Sequence, residues 1–454
     1  MTPPATRAPF EAARAALERH FGYPAFRAPQ ERVVRSVLAG VDTLAVLPTG
    51  AGKSVCFQIP ALVLPGITVV ISPLLALMED QVSAARRRGI PARALNSLES
   101  PTDRRRTLAE VARGEVKLLY VAPERAARVV EELSEAGASV DLLAVDEAHC
   151  IAEWGPDFRP AYLTLGRFRQ ALGHPPAVAL TGSATPEVRD TIVRVLGLGA
   201  RGGCDRHLAS FDRRNLWFGV ERVPDDRGRL RRLLELLTSE GRRGIVYAPT
   251  RNLTEALARI LRERGFRARP YHAGLSKERR GRLLQAFLDD TVDVVTATCA
   301  FGMGIDKPDV RLVVHWSMPP TPESYYQEAG RAGRDGAPSR CVLLYHPSDG
   351  DLPRQELLVT FPPRPVIEEA WRQPDGLERL PANVAASVRR LREELRPERG
   401  PVRWDRIDRR RAAALDRIRA VERYASGGRC RRAELLGYFG ERLIRCSGCD
   451  RCPR

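Results

Sequence analysis

Apolar positions along this chain come in short, nearly unbroken runs rather than long alternating ones. Thr43 to Leu47, the head of Val69 to Val82, the head of Leu118 to Arg125, and Asp141 to Val145 are of this kind, each stopped by Gly, Pro or a polar residue. Runs that short and that apolar suit strands buried on both faces. Farther on, Gly244 to Ala248, Val292 to Ala297, Arg311 to His315 and Cys341 to Tyr345 repeat the pattern, with helical stretches such as Asn252 to Glu263 between them. Strands alternating with helices predict an α/β fold of two tandem parallel-sheet domains. At 454 residues and 43% hydrophobic content, the chain can fill both cores. The longest apolar passage, Ala61 to Met78, is broken by Pro65, Gly66 and Pro73, so it reads as strand and helix rather than a membrane span. No charged-then-apolar signal opens the chain.

The first domain is expected over residues 10–205, closing where Gly and Arg accumulate between Gly199 and Arg206. The second is expected over 206–350, followed by a basic helical connector over 351–422 and a small cysteine module over 423–454. The connector carries little pattern. Pro362 to Pro365 breaks the chain, helical stretches follow, and an arginine run from Arg403 to Arg411 includes Trp404; a degenerate winged-helix-like insert is the other reading.

Chemistry first shows at Leu47 to Ser54, LPTGAGKS, between a strand and a segment able to start a helix. Gly50, Ala51 and Gly52, with Thr49 before them, let backbone N–H groups close around phosphates, and the helix N-terminus behind adds partial positive charge. Lys53 would sit on the phosphates of ATP and the Ser54 hydroxyl on Mg²⁺. Leu47 stands where the strict GxxxxGK[ST] pattern has its first glycine, which points to the shorter form common among helicases. Only Lys53, Lys117, Lys277 and Lys307 among 73 basic residues are lysines, so a chain that writes Arg almost everywhere keeps a compact ammonium here. A glycine turn that binds nothing is the plainer alternative. Against it stands the strand Asp141 to Val145, which ends in Asp146-Glu147-Ala148-His149. Asp146 can hold Mg²⁺ from the side opposite Ser54, and Glu147 can orient or deprotonate the attacking water.

Three further stretches carry chemistry. Cys150 to Pro160, CIAEWGPDFRP, sets Trp154, Phe158 and Arg159 in an aromatic and basic loop suited to stacking on bases and touching phosphate. Gln327 to Gly336, QEAGRAGRDG, offers guanidinium groups for the charge that spreads over the γ-phosphoryl; Arg334 is the first candidate for that finger and Arg331 the second. Upstream, Tyr23, Arg27 and Gln30 supply a ring, a guanidinium plane and an amide able to stack on and hydrogen-bond adenine.

Four of the nine cysteines crowd the C-terminus as Cys430-x15-Cys446-x2-Cys449-x2-Cys452, spacings that suit one tetrahedral Zn²⁺. A segment of about thirty residues cannot bury a sufficient core, so the metal's role there is structural. The other cysteines are scattered, as in a reduced cytosolic protein without a disulfide framework. The formal net charge is +17 with a pI near 10.0. Such a balance favours a polyanion through counterion release, though a genomic habit of writing Arg would produce it too. Residues 351–454 hold 24 Arg against 16 acidic residues, which concentrates the excess in the tail.

Together these motifs resemble RecQ-type DNA helicases of superfamily 2, from Phe21 to Cys452, with weak support between residues 351 and 422. The resemblance implies two RecA-like domains followed by a small helical zinc-binding module. It makes Tyr23, Arg27 and Gln30 the adenine-reading motif and Cys150 to Pro160 the aromatic-rich loop that makes hydrolysis depend on bound DNA. It assigns DNA contacts to Ser72 in the Ser-Pro turn, His272 in Tyr271 to Leu275, and Thr296 in Thr296 to Thr298, and extends to Asn96; taken alone, Asn96 reads as an ordinary connection and His272 as a packed or surface histidine. It brings Asp306, in Phe301 to Val310, to the ribose, and makes Leu180 to Thr185, LTGSAT, the link between ATP and DNA sites. Two positions depart from the family pattern: Pro156 stands where His is general and Ala152 where Ser is usual. Proline stiffens the loop and removes a donor, so altered coupling between DNA and ATP is expected.

The expectation is therefore an ATP-dependent 3′-to-5′ DNA helicase using ATP, Mg²⁺ and Zn²⁺. It would act on single-stranded and tailed or forked DNA in recombination and repair, as a cytoplasmic monomer associated with a bacterial nucleoid and not with a membrane. The sequence stops two residues after the last zinc ligand, without the winged helix that usually follows, so weaker duplex binding is expected. Two alternatives stay open. An RNA-dependent ATPase is opposed by the aromatic loop and the zinc cysteines; a DNA-annealing protein that uses ATP as a switch is motivated by Pro156 and the short tail.

Overall fold

The computed structural model describes residues 7–48, 50–73, 75–96, 99–152, 160–200, 202–241, 243–302, 307–372, 376–395 and 403–452. They form two compact units, one reaching Asp212 and including Phe439–Glu441, the other holding Arg213–Tyr438 and the residues from Arg442 onward.

The first unit is built on seven strands: β1 Asp42–Val46, β2 Ile67–Ile71, β3 Ala92–Leu95, β4 Leu118–Val121, β5 Val140–Val145, β6 Ala177–Thr181 and β7 Cys204–Leu208. Their order is β3-β4-β2-β5-β6-β1-β7, and every pairing is parallel. Strands β1, β2, β4 and β6 are buried along their whole length, as their unbroken apolar runs require. The helices Ala28–Leu38, Val55–Val63 and Leu75–Arg87 cover this core with Val33, Val37, Phe57, Met78 and Val82. Because the strands are parallel, β1, β5 and β6 end on one edge, and neighbouring strands deliver the residues that follow them to one place.

The second unit carries β8 Leu216–Arg222, β9 Gly244–Tyr247, β10 Ala268–Tyr271, β11 Val294–Ala297, β12 Leu312–His315 and β13 Ser339–Tyr345, in the order β10-β11-β9-β12-β13-β8. All of its pairings are parallel too. The α/β class with two parallel-sheet domains is what the apolar runs predict.

Two details differ from the expected boundaries. Strand β7 pairs in register with β1 from Cys204 to Leu208, so the first sheet continues past residue 205. The helix Trp404–Ser426 runs through residue 422, so connector and cysteine module share one element. Within the connector, the helices Asp351–Thr360, Arg364–Arg372, Ala382–Leu395 and Trp404–Ser426 gather Phe361, Ile367, Val388, Leu391 and Ile407 into a separate small core. Among its described residues there is no strand to serve as a wing. Among the described residues no helix is long and apolar enough to cross a membrane.

Candidate nucleotide site and cysteine cluster

The phosphate loop leaves β1 and enters the helix Val55–Val63 with Ser54 as its N-cap. Gly50 and Gly52 have φ of +83° and +74°, a backbone that side chains disfavour. The loop is tied from behind by its carbonyls. Arg27 Nη1 donates to Gly50 O at 2.7 Å, and Gln30 Nε2 donates to Ala51 O at 2.9 Å and Gly52 O at 3.2 Å. Gln30 is in turn fixed by the Arg27 backbone N–H, which donates to its Oε1 at 3.0 Å. Arg27 and Gln30 thus brace the loop, while Tyr23 stays 54% exposed beside Phe21, with ring centroids 6.2 Å apart.

Strand β5 ends at the two carboxylates. Asp146 is buried and accepts from Gln81 Nε2 at 2.9 Å and from the Glu147 backbone N–H at 3.0 Å. Burial, and after it the neighbouring Glu147 carboxylate, push Asp146 up to about 6, against the pull of Gln81 and Lys53. A buried carboxylate held in that state is suited to a cation that compensates its charge. Glu147 has φ +45° and ψ +48°, left-handed for a residue with a side chain, a strain that structures keep where a side chain must be aimed. Its carboxylate lies 3.9 Å from Lys53 Nζ and 3.3 Å from His149 Nδ1. His149 Nδ1 is also 3.0 Å from Thr181 Oγ1 at the end of β6, and the Ser183 backbone N–H donates to that hydroxyl at 3.3 Å. Lys53, Asp146, Glu147 and the LTGSAT segment are therefore brought together.

The motifs mark Thr181 only as part of LTGSAT, and they miss the role of Gln81. Gln81 had a signal: it stands beside Met78, Val82 and Ala85 on the buried face of its helix, a polar residue where the period calls for an apolar one.

Other expected residues lie elsewhere. Thr49, Trp154, Phe158, Arg159 and Asp306, with Pro156, lie outside the described residues. Ser72 and Thr296 are wholly buried. Thr296 Oγ1 donates to Thr254 O at 2.7 Å, which ties β11 to the helix Arg251–Glu263. His272 is buried as well, with Nε2 3.0 Å from Glu255 Oε1. All three side chains are buried at or near strand ends. Arg331 is buried in the second unit, and Arg334 is partly exposed there.

The four C-terminal cysteines converge, with all their sulfurs within 4.8 Å of one another. Four sulfurs each about 2.3 Å from one Zn²⁺ form the corners of a tetrahedron with edges of about 3.8 Å, and Cys449 Sγ lies 3.8 Å from Cys430 Sγ, so the donor set fits that metal. Burial raises the Cys449 thiol, but the Arg451 and Arg431 backbone and the Cys452 and Cys446 sulfurs outweigh it and bring it to about 7, towards the thiolate a metal needs. The knuckle joins the edge of the second sheet at β8, where the Asp450 N–H donates to Phe218 O at 3.0 Å. Arg431, buried, donates through Nε to Asp450 at 2.9 Å and through Nη1 to Gly427 O at 3.1 Å.

A strand-loop-helix phosphate cradle, two carboxylates at the end of β5 one strand beyond β1's neighbour β6, a second parallel-sheet unit and a four-cysteine knuckle define a helicase-fold P-loop protein with a zinc appendage. Family models agree along the chain: DEAD/DEAH box helicase over residues 27–192, helicase conserved C-terminal domain over 228–336, and RecQ zinc-binding over 386–453. The chain belongs to the RecQ family of ATP-dependent DNA helicases. It is 43% identical to the probable ATP-dependent DNA helicase RecS of Bacillus subtilis, covering 75% of this chain and 68% of that protein. It is 38% identical over 96% of its length to the ATP-dependent DNA helicase RecQ of Haemophilus influenzae, of which it spans 62%. Among solved structures, the DUF1998 helicase MrfA bound to DNA matches with a TM-score of 0.64 at 18% identity, covering 76% of this chain and 52% of that one. The Mycobacterium smegmatis helicase Lhr bound to ssDNA and AMP-PNP matches with a TM-score of 0.56 at 22% identity, covering 85% and 55%. At those identities the likeness is one of fold.

Proposed function

We propose that this chain hydrolyses Mg·ATP in response to single-stranded DNA, and uses the cycle to move 3′-to-5′ and separate tailed or forked duplexes in recombination and repair. The observation that carries the reading is the meeting of Lys53, Asp146 and Glu147 with His149 and Thr181 on the ends of β1, β5 and β6. The relatives in Haemophilus influenzae and Bacillus subtilis, named as ATP-dependent DNA helicases, support it. We place the protein in the cytoplasm, at the nucleoid, as a monomer.

Ser54 and Asp146 would hold Mg²⁺, which when bound neutralises phosphate charge. The chain's own residues do the rest. Tyr23, Arg27 and Gln30 receive the adenine side, with Arg27 and Gln30 also bracing the loop; Thr49, Gly50 and Gly52 shape the cradle, and Asp306 serves the ribose. Lys53 sits on the phosphates as a point charge. Glu147, held between Lys53 and His149, takes the proton of the attacking water. Arg334, and after it Arg331, stabilise the charge that develops on the γ-phosphoryl. The His149 to Thr181 bond is a route by which DNA bound near the LTGSAT segment reaches Glu147. The DNA-facing groups we assign are Trp154, Phe158 and Arg159. The four cysteines hold Zn²⁺ to fold the tail.

Strand displacement on a 3′-tailed duplex with Mg·ATP, beside a 5′-tailed control and an RNA-stimulated ATPase assay, tests the reading. Unwinding confined to the 3′-tailed substrate supports it. Stimulation by RNA alone, or annealing without unwinding that persists in Lys53→Ala, sinks it.

A further inference from the structure

The second unit contains a buried polar cluster to which the reading above gives no role. His315 closes β12, is 1% exposed, and sets Nε2 2.9 Å from an oxygen of Glu328, on the helix Pro322–Ala329 that leads into Arg331. Its Nδ1 is buried with no partner among the described residues, so the proton belongs on Nε2 and the ring donates to the carboxylate. The imidazole is stacked on Tyr247 with centroids 5.4 Å apart at 22°, and meets Tyr325 at 4.7 Å. The Tyr247 hydroxyl donates to Phe301 O at 2.7 Å and is hydrogen-bonded to the Arg331 side chain.

Arg331 is 7% exposed, and its Nε has no partner among the described residues. One terminal nitrogen lies so close to Gly302 that a Cβ there would come within 3.1 Å of it. The Arg331 backbone N–H donates to Glu328 O at 3.2 Å, one turn back. Glu328 and Arg331 stand three residues apart on this helical turn, the spacing at which two side chains share a face. One carboxylate thus has two cations or donors within reach. In a buried setting a carboxylate left uncommitted beside a guanidinium pairs with it, and the charge-assisted pair is strong. An arginine neutralised in this way has little field to offer a phosphate.

We propose that His315 is a positioning residue: by holding the Glu328 carboxylate it keeps the Arg331 guanidinium uncompensated, beside Tyr247 and Gly302, and so free to act on a phosphate. The inference rests on the reading of Arg331 as a nucleotide-facing arginine. Tyr325, whose hydroxyl is 3.0 Å from that of Tyr424, backs the imidazole from the helix Trp404–Ser426.

The test is DNA-stimulated ATP hydrolysis by the full chain, with kcat and KM separated. His315→Phe keeps a ring for the stacks but cannot donate; kcat should fall about tenfold or more, with KM for ATP, affinity for single-stranded DNA and Tm close to the parent. His315→Gln, whose amide still donates, should keep most of kcat. In H315F/E328Q the competing charge is gone, and kcat should return to within about threefold of the parent. A packing role for His315 predicts no such rescue. An unchanged kcat in His315→Phe, or a double variant as slow as the single one, overturns the proposal. Should His315→Phe not fold, His315→Asn, too short to reach Glu328, takes its place, and equal rates for Asn and Gln overturn it. Full activity in Arg331→Ala would instead remove the underlying reading of that arginine, whatever His315 does.

Discussion

The phosphate loop and the cysteine knuckle are both ligand cradles made of turns, and they are held together in opposite ways. The loop is braced from behind by protein: Arg27 and Gln30 side chains bond the carbonyls of Gly50, Ala51 and Gly52. Its front, where Lys53 has only a 3.9 Å approach to Glu147, contributes little to that bracing. The knuckle has sulfurs where the loop has carbonyl bonds, four of them within 4.8 Å, and thiols that close give each other little without a metal. Chemistry in the first cradle is therefore separable from folding, and in the second it is not.

The largest expected effect falls on the knuckle. Cys449→Ala leaves three ligands, and a structural zinc site of this kind carries on the order of 10 kcal/mol of binding energy that becomes folding energy. The variant should lose its zinc, and the amide of Asp450, now bonded to Phe218 O, should exchange rapidly with solvent. Metal analysis and hydrogen exchange check it. Retained zinc and slow exchange would show that Arg431 and the β8 contact hold the knuckle unaided.

Lys53→Ala comes second. It should lower DNA-stimulated ATP hydrolysis by about 10³-fold, or about 4 kcal/mol, the scale of losing one charge preorganised for phosphate. Its Tm should move by no more than about 2 °C, because a partly exposed pair contributes about 1 kcal/mol or less. A large fall in Tm would break the contrast, by showing that the front of the loop also folds it.

The same contrast explains what the sequence discloses. Strands β1, β2 and β4, and β5 from Leu142 onward, are buried and announce themselves as apolar runs, and the glycines of the loop and the cysteine spacings carry ligand chemistry in their identities. Strand β7, CDRHL, is an edge strand with exposed charged positions, so nothing in its pattern separates it from a loop; only its register with β1 makes it a strand. Bracing is illegible for a similar reason. Arg27 and Gln30 suggest an adenine contact by type, and their bonds to the loop carbonyls depend on a helix packing behind it. Ser72, His272 and Thr296 sit near strand ends where DNA contacts are expected, but whether such a side chain turns outward or inward is decided by packing, and here all three are buried.

Gly52→Ala sharpens the bracing half of the comparison. At φ +74° the alanine is strained, and its Cβ would stand 2.5 Å from Gln30 Nε2. That atom ends a flexible side chain, so the clash itself is cheap and the backbone strain dominates. ATP affinity should fall about tenfold, or about 1.4 kcal/mol, with Tm lower by a few degrees, as calorimetry of binding and unfolding would register. A variant that binds ATP like its parent would mean that the loop's conformation is set by the ligand and not by the brace.

The smallest effect is expected at Gln81, which braces the other side of the site. Its amide is the one side-chain donor to Asp146 among the described residues, and it lies on a helix with no other role at the cradle. Removing it in Gln81→Ala leaves a buried carboxylate oxygen without that hydrogen bond, at about 1 to 2 kcal/mol. Lowering the support for the charged form raises the Asp146 pKa further, above the present value near 6, so more of it is protonated at neutral pH and less is ready for a cation. The KM for Mg·ATP should then rise about fivefold while kcat at saturating Mg²⁺ holds, and added Mg²⁺ should close the gap. If kcat falls instead and Mg²⁺ does not restore it, Gln81 orients Glu147 through its neighbour, and the carboxylates behave as one unit rather than as ligand and base.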